Sequence, residues 1–405
     1  MNEASTLAPI HPLRNHAFFL LWIGSSVSAI GDQFYFLALP WMVLELTGSS
    51  IVLGTISVIA AIPSAIFMLL GGVLTDRLFP RKIIIITAAA RFILLVFISA
   101  RLWMHSLALY ELFVLAACFG IADAFSYPAF QSFLPSLVIS SQLPAANSVS
   151  QSTTQITTLI VPGLAGFFIK TFGSAWMLFI DAMSFLFIIG MLWRLPDPPS
   201  VATRLRHGNL IRSILDGLQY VRSDIALSSL MLVIAVLNFA TAGPIGIGIA
   251  FIAKREFGSV SSFGFLLSGM AAGSLAGTLL AGFSRQRKRG MLLLLVSTTI
   301  GICLGAVGIL HGMPALLAVL SLLGGAAAFL NVQLIAWFQQ HVDRAMMGRV
   351  MSVRMFSAIG LTPFSLAIAG IAMRWSPSGL FLLNGGMVLL VTLLAAIHRP
   401  VREID

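Results

Sequence analysis

A small set of ionisable residues lies inside long apolar stretches of this 405-residue chain. Its members are Asp32, Arg91, Asp123, Asp181 and Arg354. On insertion scales, a charged side chain at the centre of a membrane helix costs about 2.5 to 3.5 kcal/mol, so such residues are candidates for function. The chain has 7 histidines, and all of them fall between these stretches or at their ends. Proton transfer through the apolar region is therefore predicted to depend on carboxylates.

Asp32 and Asp123 are the candidates for proton coupling. A carboxylate in a low-dielectric surrounding can take up a proton from one side of a membrane and release it to the other. The alternative for Asp32 is a structural carboxylate that hydrogen-bonds neighbouring helices, and for Asp123 an ion pair with Arg91. Arg91 and Asp181 are charge-pair candidates, and the alternative for Asp181 is a cap at the outer start of its helix.

Other polar side chains within the apolar stretches are candidates for lining a cavity. They are Tyr35, Gln151, Gln155, Asn238, Asn331 and Gln333. Amides and hydroxyls interleaved with aromatic rings would suit a large amphiphilic ligand. For any single aromatic residue the alternative is ordinary packing or contact with lipid. No group of residues has the spacing of a metal site, so none is predicted.

The apolar stretches indicate an integral membrane protein. The composition is 58% hydrophobic and 9% charged, whereas an average soluble domain is about 25% charged. A membrane helix requires about 20 mostly apolar residues. Twelve runs meet this requirement, at 17–44, 51–74, 83–104, 107–131, 147–169, 175–194, 226–252, 263–283, 291–310, 314–338, 350–373 and 379–397. The predicted fold is an all-α membrane protein with twelve transmembrane helices.

Two glycine patterns lie within these spans. Gly269, Gly273 and Gly277 recur at every fourth residue of span 8, which predicts close helix packing inside a bundle. Pro244, with glycines on either side, predicts a bend or local break in span 7 and a hinge linked to transport.

The spans divide into two groups of six. Residues 1–194 are predicted to form an N-terminal six-helix bundle and residues 226–405 a C-terminal one, joined by a cytoplasmic linker at 195–225. Within the linker, apolar residues recur with a helical period from Leu210 to Arg222. This pattern predicts an amphipathic helix, which either lies on the inner membrane surface or packs on the cytoplasmic helix ends.

The basic residues predict the orientation in the membrane. Cytoplasmic loops are enriched in Lys and Arg. With both termini inside, 17 of the 24 Lys and Arg residues fall in inner segments, 5 in outer segments and 2 within spans. The net charge of +10 therefore needs no nucleic-acid partner.

The loop between spans 2 and 3 carries a family resemblance. From 72 to 82 it reads Gly-Val-Leu-Thr-Asp-Arg-Leu-Phe-Pro-Arg-Lys, which resembles the signature of the major facilitator superfamily, with Phe79 where the family usually has glycine. The resemblance implies two six-helix bundles and a conformational gate in which span 2 faces span 11. The gate residues it implies are Gly72, Asp76, Arg77, Arg81, Lys82 and Arg354. Asp76 and Arg354 would meet while the cytoplasmic ends are closed.

Further segments resemble one branch of that superfamily, the bacterial twelve-span exporters that include macrolide efflux proteins and the enterobactin exporter. These segments are 31–32, 38–40, 46–49, 128–130, 134–135, 181–185, 216–221 and 348–350. The resemblance covers roughly residues 14 to 398.

The resemblance implies a secondary active transporter, not an enzyme, that exports an amphiphilic small molecule such as a drug or siderophore by proton-coupled alternating access. It implies a functional monomer in the bacterial inner membrane, with no cofactor and the proton gradient as energy source. No Gly-Lys dipeptide occurs, so a P-loop for a nucleotide-driven pump is absent. Two alternatives remain open, a proton-coupled importer of a small metabolite and a non-transporting receptor of the same fold.

The predicted orientation can be tested with single cysteines in a background lacking Cys118 and Cys303. A membrane-impermeant thiol reagent added to intact cells should label Ser49→Cys, which lies in a predicted outer loop. It should label Ser284→Cys, in a predicted inner loop, only after permeabilisation. The reverse pattern would show that the topology is inverted.

Overall fold

The structure is a computed structural model. It describes residues 12–75, 80–139, 141–195, 218–283, 289–343 and 346–404. Within these ranges all regular secondary structure is helical, as the apolar composition predicts. A helix satisfies its own backbone hydrogen bonds, which lipid cannot do for it.

The first half of the chain contains six long helices. They are α1 (His16–Thr47), α2 (Ser50–Thr75), α3 (Pro80–Trp103), α4 (Leu109–Leu137), α5 (Leu143–Phe172) and α6 (Ser174–Trp193). Each coincides with one predicted span, and the ends differ by a few residues.

The second half supplies the other six spans. They are α7 (Ile225–Phe257), α8 (Val260–Phe283), α9 (Arg289–Val307), α10 (Met313–His341), the pair α11 (Met347–Ile359) and α12 (Thr362–Trp375), and α13 (Pro377–Ile397). Among the described residues, 10 helices are individually long and apolar enough to cross a membrane. Since α2 and the α11–α12 pair occupy the other two predicted spans, the twelve-span count is consistent with the structure.

The chain forms two compact units. The first comprises residues 1–39, 59–161 and 168–204, and the second comprises residues 40–58, 162–167 and 205–405. The helix predicted at 210–222 lies mostly outside the described residues, although 218–223 are helical.

Helices α8 and α10 approach closely in the second unit because α8 carries glycines at the contact. A Cβ atom at Gly273 would collide with the carbonyl oxygen of Ser321, and one at Gly277 with that of Gly325. The Ser321 hydroxyl donates a hydrogen bond of 2.8 Å to the carbonyl oxygen of Gly269. The glycine row therefore packs inside the bundle, as predicted.

Helix α7 departs from regular α-helix at the predicted position. Residues Pro244–Gly248 form a π-helical segment, and Ala253–Phe257 form a second one. Proline has no N–H to donate and disturbs the α-helical ladder. Near the first segment, the N–H of Gly243 donates to the Ser365 hydroxyl of α12 at 2.7 Å. The local break is confirmed, and its role as a transport hinge stays a prediction.

The glycine contact between α8 and α10 gives a stability prediction. We expect Gly273→Ala to lower the free energy of unfolding by about 1 to 3 kcal/mol, because the added methyl group meets a backbone carbonyl that cannot move away cheaply. Thermal unfolding in detergent measures this. Gly282→Ala is the matched control on the same helix, since nothing lies within 4 Å of a Cβ there. Equal melting temperatures for the two variants would contradict the packing argument.

Candidate functional site

A cavity of about 910 Å³ lies in the first unit. This volume is within the range of ligand sites for drug-sized molecules. Helices α1, α3, α4, α5 and α6 supply its walls. The polar side chains of the lining are those of Ser25, Ser26, Ser28, Asp32, Thr87, Arg91, Asp123, Ser126, Tyr127, Gln131, Asn147, Ser148, Ser150, Gln151, Thr153 and Thr154.

The lining helices are tied together beside the cavity. Trp22 of α1 donates a hydrogen bond of 3.0 Å from its indole Nε1 to the hydroxyl of Thr153 on α5. The aromatic body of Trp22 contributes apolar wall while its N–H is satisfied, which is the usual arrangement for a buried tryptophan.

The guanidinium of Arg91 is the cation of the cavity. Its side chain is only 7% exposed, and it forms an ion pair with Asp123 of α4. The same nitrogen lies 3.3 Å from the hydroxyl of Ser126, to which it donates. Asp123 and Ser126 are three residues apart and so share one face of α4. The ion pair given above as the alternative for Asp123 is therefore present.

Aromatic rings surround the same guanidinium. Its central carbon lies 5.3 Å from the ring centroid of Phe119 on α4 and 5.3 Å from that of Phe185 on α6. Both distances fit cation–π attraction. Tyr35 of α1 stacks on Phe119, with centroids 4.0 Å apart and planes inclined by 16°. Four helices thus meet at Arg91.

The two other carboxylates near Arg91 differ in exposure. Asp32 lines the cavity and interacts electrostatically with Arg91 and Asp123. Asp181 is fully buried, and its Oδ1 accepts a hydrogen bond of 3.2 Å from the Ser184 hydroxyl. Since α6 begins at Ser174, Asp181 lies about two turns inside the helix and does not cap it.

The predicted cavity-lining residues are divided between the two units. In the first unit, Gln151 lines the cavity as predicted, whereas Tyr35 and Gln155 are not among the lining residues. Tyr35 instead stacks on Phe119, and Gln155 lies one turn beyond Gln151 along α5. In the second unit, Asn238 donates to the carbonyl oxygen of Ile234 at 2.9 Å, and the buried Gln333 donates to that of Ala281 at 3.1 Å. Asn331 accepts a hydrogen bond from Arg354.

The predicted gate residues are only partly described. Asp76 and Arg77 lie outside the described residues, and Gly72 is within α2. Arg81 donates from Nε to the carbonyl oxygen of Leu192 at 2.8 Å and so satisfies the last turn of α6. Lys82 is in the first turn of α3. The contact between Asp76 and Arg354 stays a prediction.

Sequence reasoning missed the aromatic enclosure of Arg91. The signal was present on α4, where Phe119 and Asp123 are four residues apart and share a face. No comparable signal identified Phe185, because the facing of α6 toward α3 depends on tertiary packing. The serine side chains of the α5 wall, Ser148 and Ser150, were also missed.

Solved structures of known transporters share this architecture. A bacterial homologue of the iron transporter ferroportin in an inward-facing state matches with a TM-score of 0.74 at 15% identity, covering 94% of this chain and 98% of that one. The nucleoside transporter NupG matches with a TM-score of 0.71 at 15% identity, covering 94% and 98%. The fold is that of the major facilitator superfamily, whose members are membrane transporters and not enzymes.

The chain belongs to the transmembrane secretion effector family of that superfamily, which it matches over residues 4–405. It is similar to macrolide efflux protein A of Streptococcus pyogenes, with 26% identity over 402 residues that cover 96% of this chain and 97% of the relative. It is also similar to the enterobactin exporter EntS of Escherichia coli (strain K12), with 24% identity over 411 residues that cover 98% and 97%. The protein is therefore a multi-pass membrane transporter for small molecules.

The ion pair at Arg91 gives a testable energetic prediction. We expect Arg91→Met to destabilise the protein by about 1.5 to 3 kcal/mol, because the charge-assisted hydrogen bond to Asp123 is lost while the 60% exposed Asp123 carboxylate stays in contact with the cavity. Adding Asp123→Asn to that variant should recover part of the loss. Thermal unfolding of purified protein measures both effects.

Lys170→Met is the control for the loss of one positive charge, since Lys170 lies exposed in the last turn of α5. It should leave stability nearly unchanged. If the double variant were no more stable than Arg91→Met alone, the pairing with Asp123 would not be the source of the loss.

Proposed function

We propose that this transporter exports an amphiphilic small molecule by alternating access, coupled to proton entry. The observation that carries the proposal is the charge balance around Arg91. One guanidinium faces three carboxylates, those of Asp32, Asp123 and Asp181. If all three were ionised, the cluster would carry two uncompensated negative charges in a low-dielectric environment. Uptake of a proton by the cluster would remove one of these uncompensated charges.

The placement of the carboxylates supports coupling between proton and ligand. The Asp123 side chain is 60% exposed although it is paired with Arg91, and Asp32 also lines the cavity. A ligand in the cavity would thus contact the groups that hold the protons. Because a bound proton and a bound ligand compete for the same charges, each shifts the affinity for the other.

The character of the cavity supports an amphiphilic ligand. Phe18, Trp22 and Phe130 provide apolar and aromatic surface, while Ser25 and Gln151 provide hydrogen-bonding groups. Mixed walls of this kind bury an apolar body and orient a few polar groups. The two named relatives are an efflux protein and an exporter, which supports outward transport of a drug-like or siderophore-like molecule.

The remaining features of the proposal rest on the family resemblance and on the distribution of the basic residues. The proton gradient supplies the energy and no cofactor is needed. The protein acts as a monomer in the bacterial cytoplasmic membrane, with both termini in the cytoplasm. The resulting orientation directs the basic loops inward.

Proton-coupled import by the same cavity is the alternative in the same class, and a receptor that binds without transport is a further one. Flux of a macrolide into inside-out and into right-side-out vesicles, with and without an imposed pH gradient, distinguishes all three. Export gives gradient-driven uptake into these vesicles, and import gives uptake only into right-side-out vesicles. A receptor gives saturable binding with no flux.

We expect Asp32→Asn to abolish macrolide flux driven by a pH gradient, because the amide cannot carry a proton. Counterflow, in which labelled and unlabelled macrolide exchange without net proton movement, should persist in this variant. Glu403→Gln is the control, since it removes an exposed carboxylate near the C-terminus. Normal gradient-driven flux in Asp32→Asn would refute a coupling role for this residue.

A further inference from the structure

We infer that Asp181 is a proton-binding site enclosed within the first unit, which holds a proton in the described conformation and exchanges it through Asp32. This inference deepens the proposed function, because it assigns to α6 a proton site separate from the cavity surface. It rests on the burial of Asp181, the hydrogen bonds around it and its position beside Gly31.

The carboxyl group of Asp181 has too few partners to be ionised. It is 0% exposed. Its Oδ2 has no hydrogen-bond partner among the described residues. The Ser184 hydroxyl lies 3.2 Å from Oδ1 but only 2.7 Å from the backbone carbonyl oxygen of Asp181. A hydroxyl has one proton to donate, so the carbonyl and the carboxyl compete for it.

Arg91, the cation that faces Asp181, does not neutralise a negative charge on its carboxyl group. The titratable groups that face Asp181 are Asp32 and Tyr35 from α1 and Arg91 from α3. Arg91 is engaged by Asp123. A buried carboxylate without a paired counter-charge is strongly disfavoured, whereas the neutral acid carries no charge and brings its own O–H donor. Asp181 is therefore neutral while Arg91 remains paired with Asp123.

The route for exchange runs along α1. Gly31 lies directly against the Asp181 carboxyl and the Ser184 hydroxyl, and a Cβ atom at this position would collide with both. The next residue, Asp32, faces the cavity. Asp181 is thus adjacent to Gly31, and Gly31 directly precedes the cavity-lining Asp32. The two carboxyl groups share no hydrogen bond in the described conformation. Transfer of one proton from the Asp181 carboxyl to the Asp32 carboxylate therefore passes through a water or follows a side-chain movement, and it conserves both charge and protons.

The trigger for exchange is the partner of Arg91. When a cationic ligand in the cavity takes Asp123 as its partner, Arg91 loses its counter-ion. The guanidinium charge then becomes available to stabilise an ionised Asp181, whose proton leaves through Asp32. A change of partner at Asp123, which lines the cavity, thereby controls the proton on Asp181, which the cavity does not contact directly.

Infrared spectroscopy tests this directly, because a protonated carboxylic acid has a C=O stretching band that a carboxylate lacks. In purified full-length protein in lipid at neutral pH, we expect such a band, its loss in Asp181→Asn, and a shift in its frequency in Ser184→Ala. Glu403→Gln should leave it unchanged. If the spectrum of Asp181→Asn kept the band, the assignment to Asp181 would be overturned. Ser184→Ala provides a second test in case Asp181→Asn does not fold. An unshifted band in Ser184→Ala would also overturn the assignment.

The exchange route has a separate measurement. Transfer into D₂O shifts the band as the carboxyl O–H becomes O–D. We expect Asp32→Asn to slow this shift by at least about tenfold, in keeping with the loss of a proton-transfer group. We expect Asp123→Asn to weaken the band, because Arg91 loses its ion-pair partner and can stabilise an ionised Asp181. An unchanged exchange rate in Asp32→Asn would overturn the route.

Gly31→Ala should shift the band through its collision with the carboxyl. The matched control Gly24→Ala on the same helix should not, because its Cβ would meet Ile188 and Met191 instead. An equal effect of both substitutions would overturn the role of Gly31. None of these spectra requires flux. Loss of the band in Asp181→Asn together with macrolide flux that ignores the pH gradient would therefore refute proton-coupled export while leaving the Asp181 site intact.

Discussion

The need to neutralise one buried guanidinium organises the first unit. Arg91 is held in a low-dielectric interior, where an unpaired charge is very costly. The structure meets this cost with the Asp123 carboxylate, the Ser126 hydroxyl and the faces of two phenylalanine rings. These partners come from α4 and α6, so the charge can be accommodated only when α3, α4 and α6 are correctly packed. A single residue thereby ties the fold of the unit to the electrostatics of its cavity.

Polar residues inside membrane helices are not all functional, and the contrast between the units makes this clear. In the second unit, Asn238 bonds to a carbonyl one turn back on its own helix, and Gln333 bonds to a carbonyl of α8. Both side chains satisfy backbone carbonyl groups. Asn238 does so on its own helix, as short polar side chains often do, and Gln333 does so on a neighbouring helix. In the first unit, Asp32 and Asp123 line open space instead. Exposure to the cavity, and not residue type, therefore distinguishes the site from the scaffold.

The sequence predicts the spans well because each span has its own strong signal. Apolar length and flanking polar residues identify a membrane helix without reference to its neighbours. Pro244 and its glycines likewise predict a local break, since the missing N–H is a property of the residue itself. The surroundings of Asp181, by contrast, depend on contacts between helices. Its burial depends on α1 presenting Gly31 at the same level, and no periodicity within α6 encodes which residue of another helix it will meet. For the same reason, the sequence leaves the pairing of Arg91 with Asp123 as one of two alternatives.

Charge pairs in the two units differ in how readily they can be broken. In the second unit, the Nζ atom of Lys254 on α7 lies 4.0 Å from Oε1 of Glu45 and 4.6 Å from the ring centroid of Trp41. The Lys254 and Glu45 side chains are 36% and 51% exposed, so this pair contributes at most about 1 kcal/mol. Trp41 also donates from Nε1 to Glu45 at 2.7 Å, so Glu45 keeps a partner if Lys254 moves away. Lys254 itself belongs to the second π-helical segment of α7, and such segments recur at functional sites. The weak pair thus joins an irregular helix segment to the end of α1, whereas the strong pair at Arg91 lies among regular helices. A transporter that changes conformation requires both kinds of contact, since the residues around its cavity must keep their geometry while other contacts break.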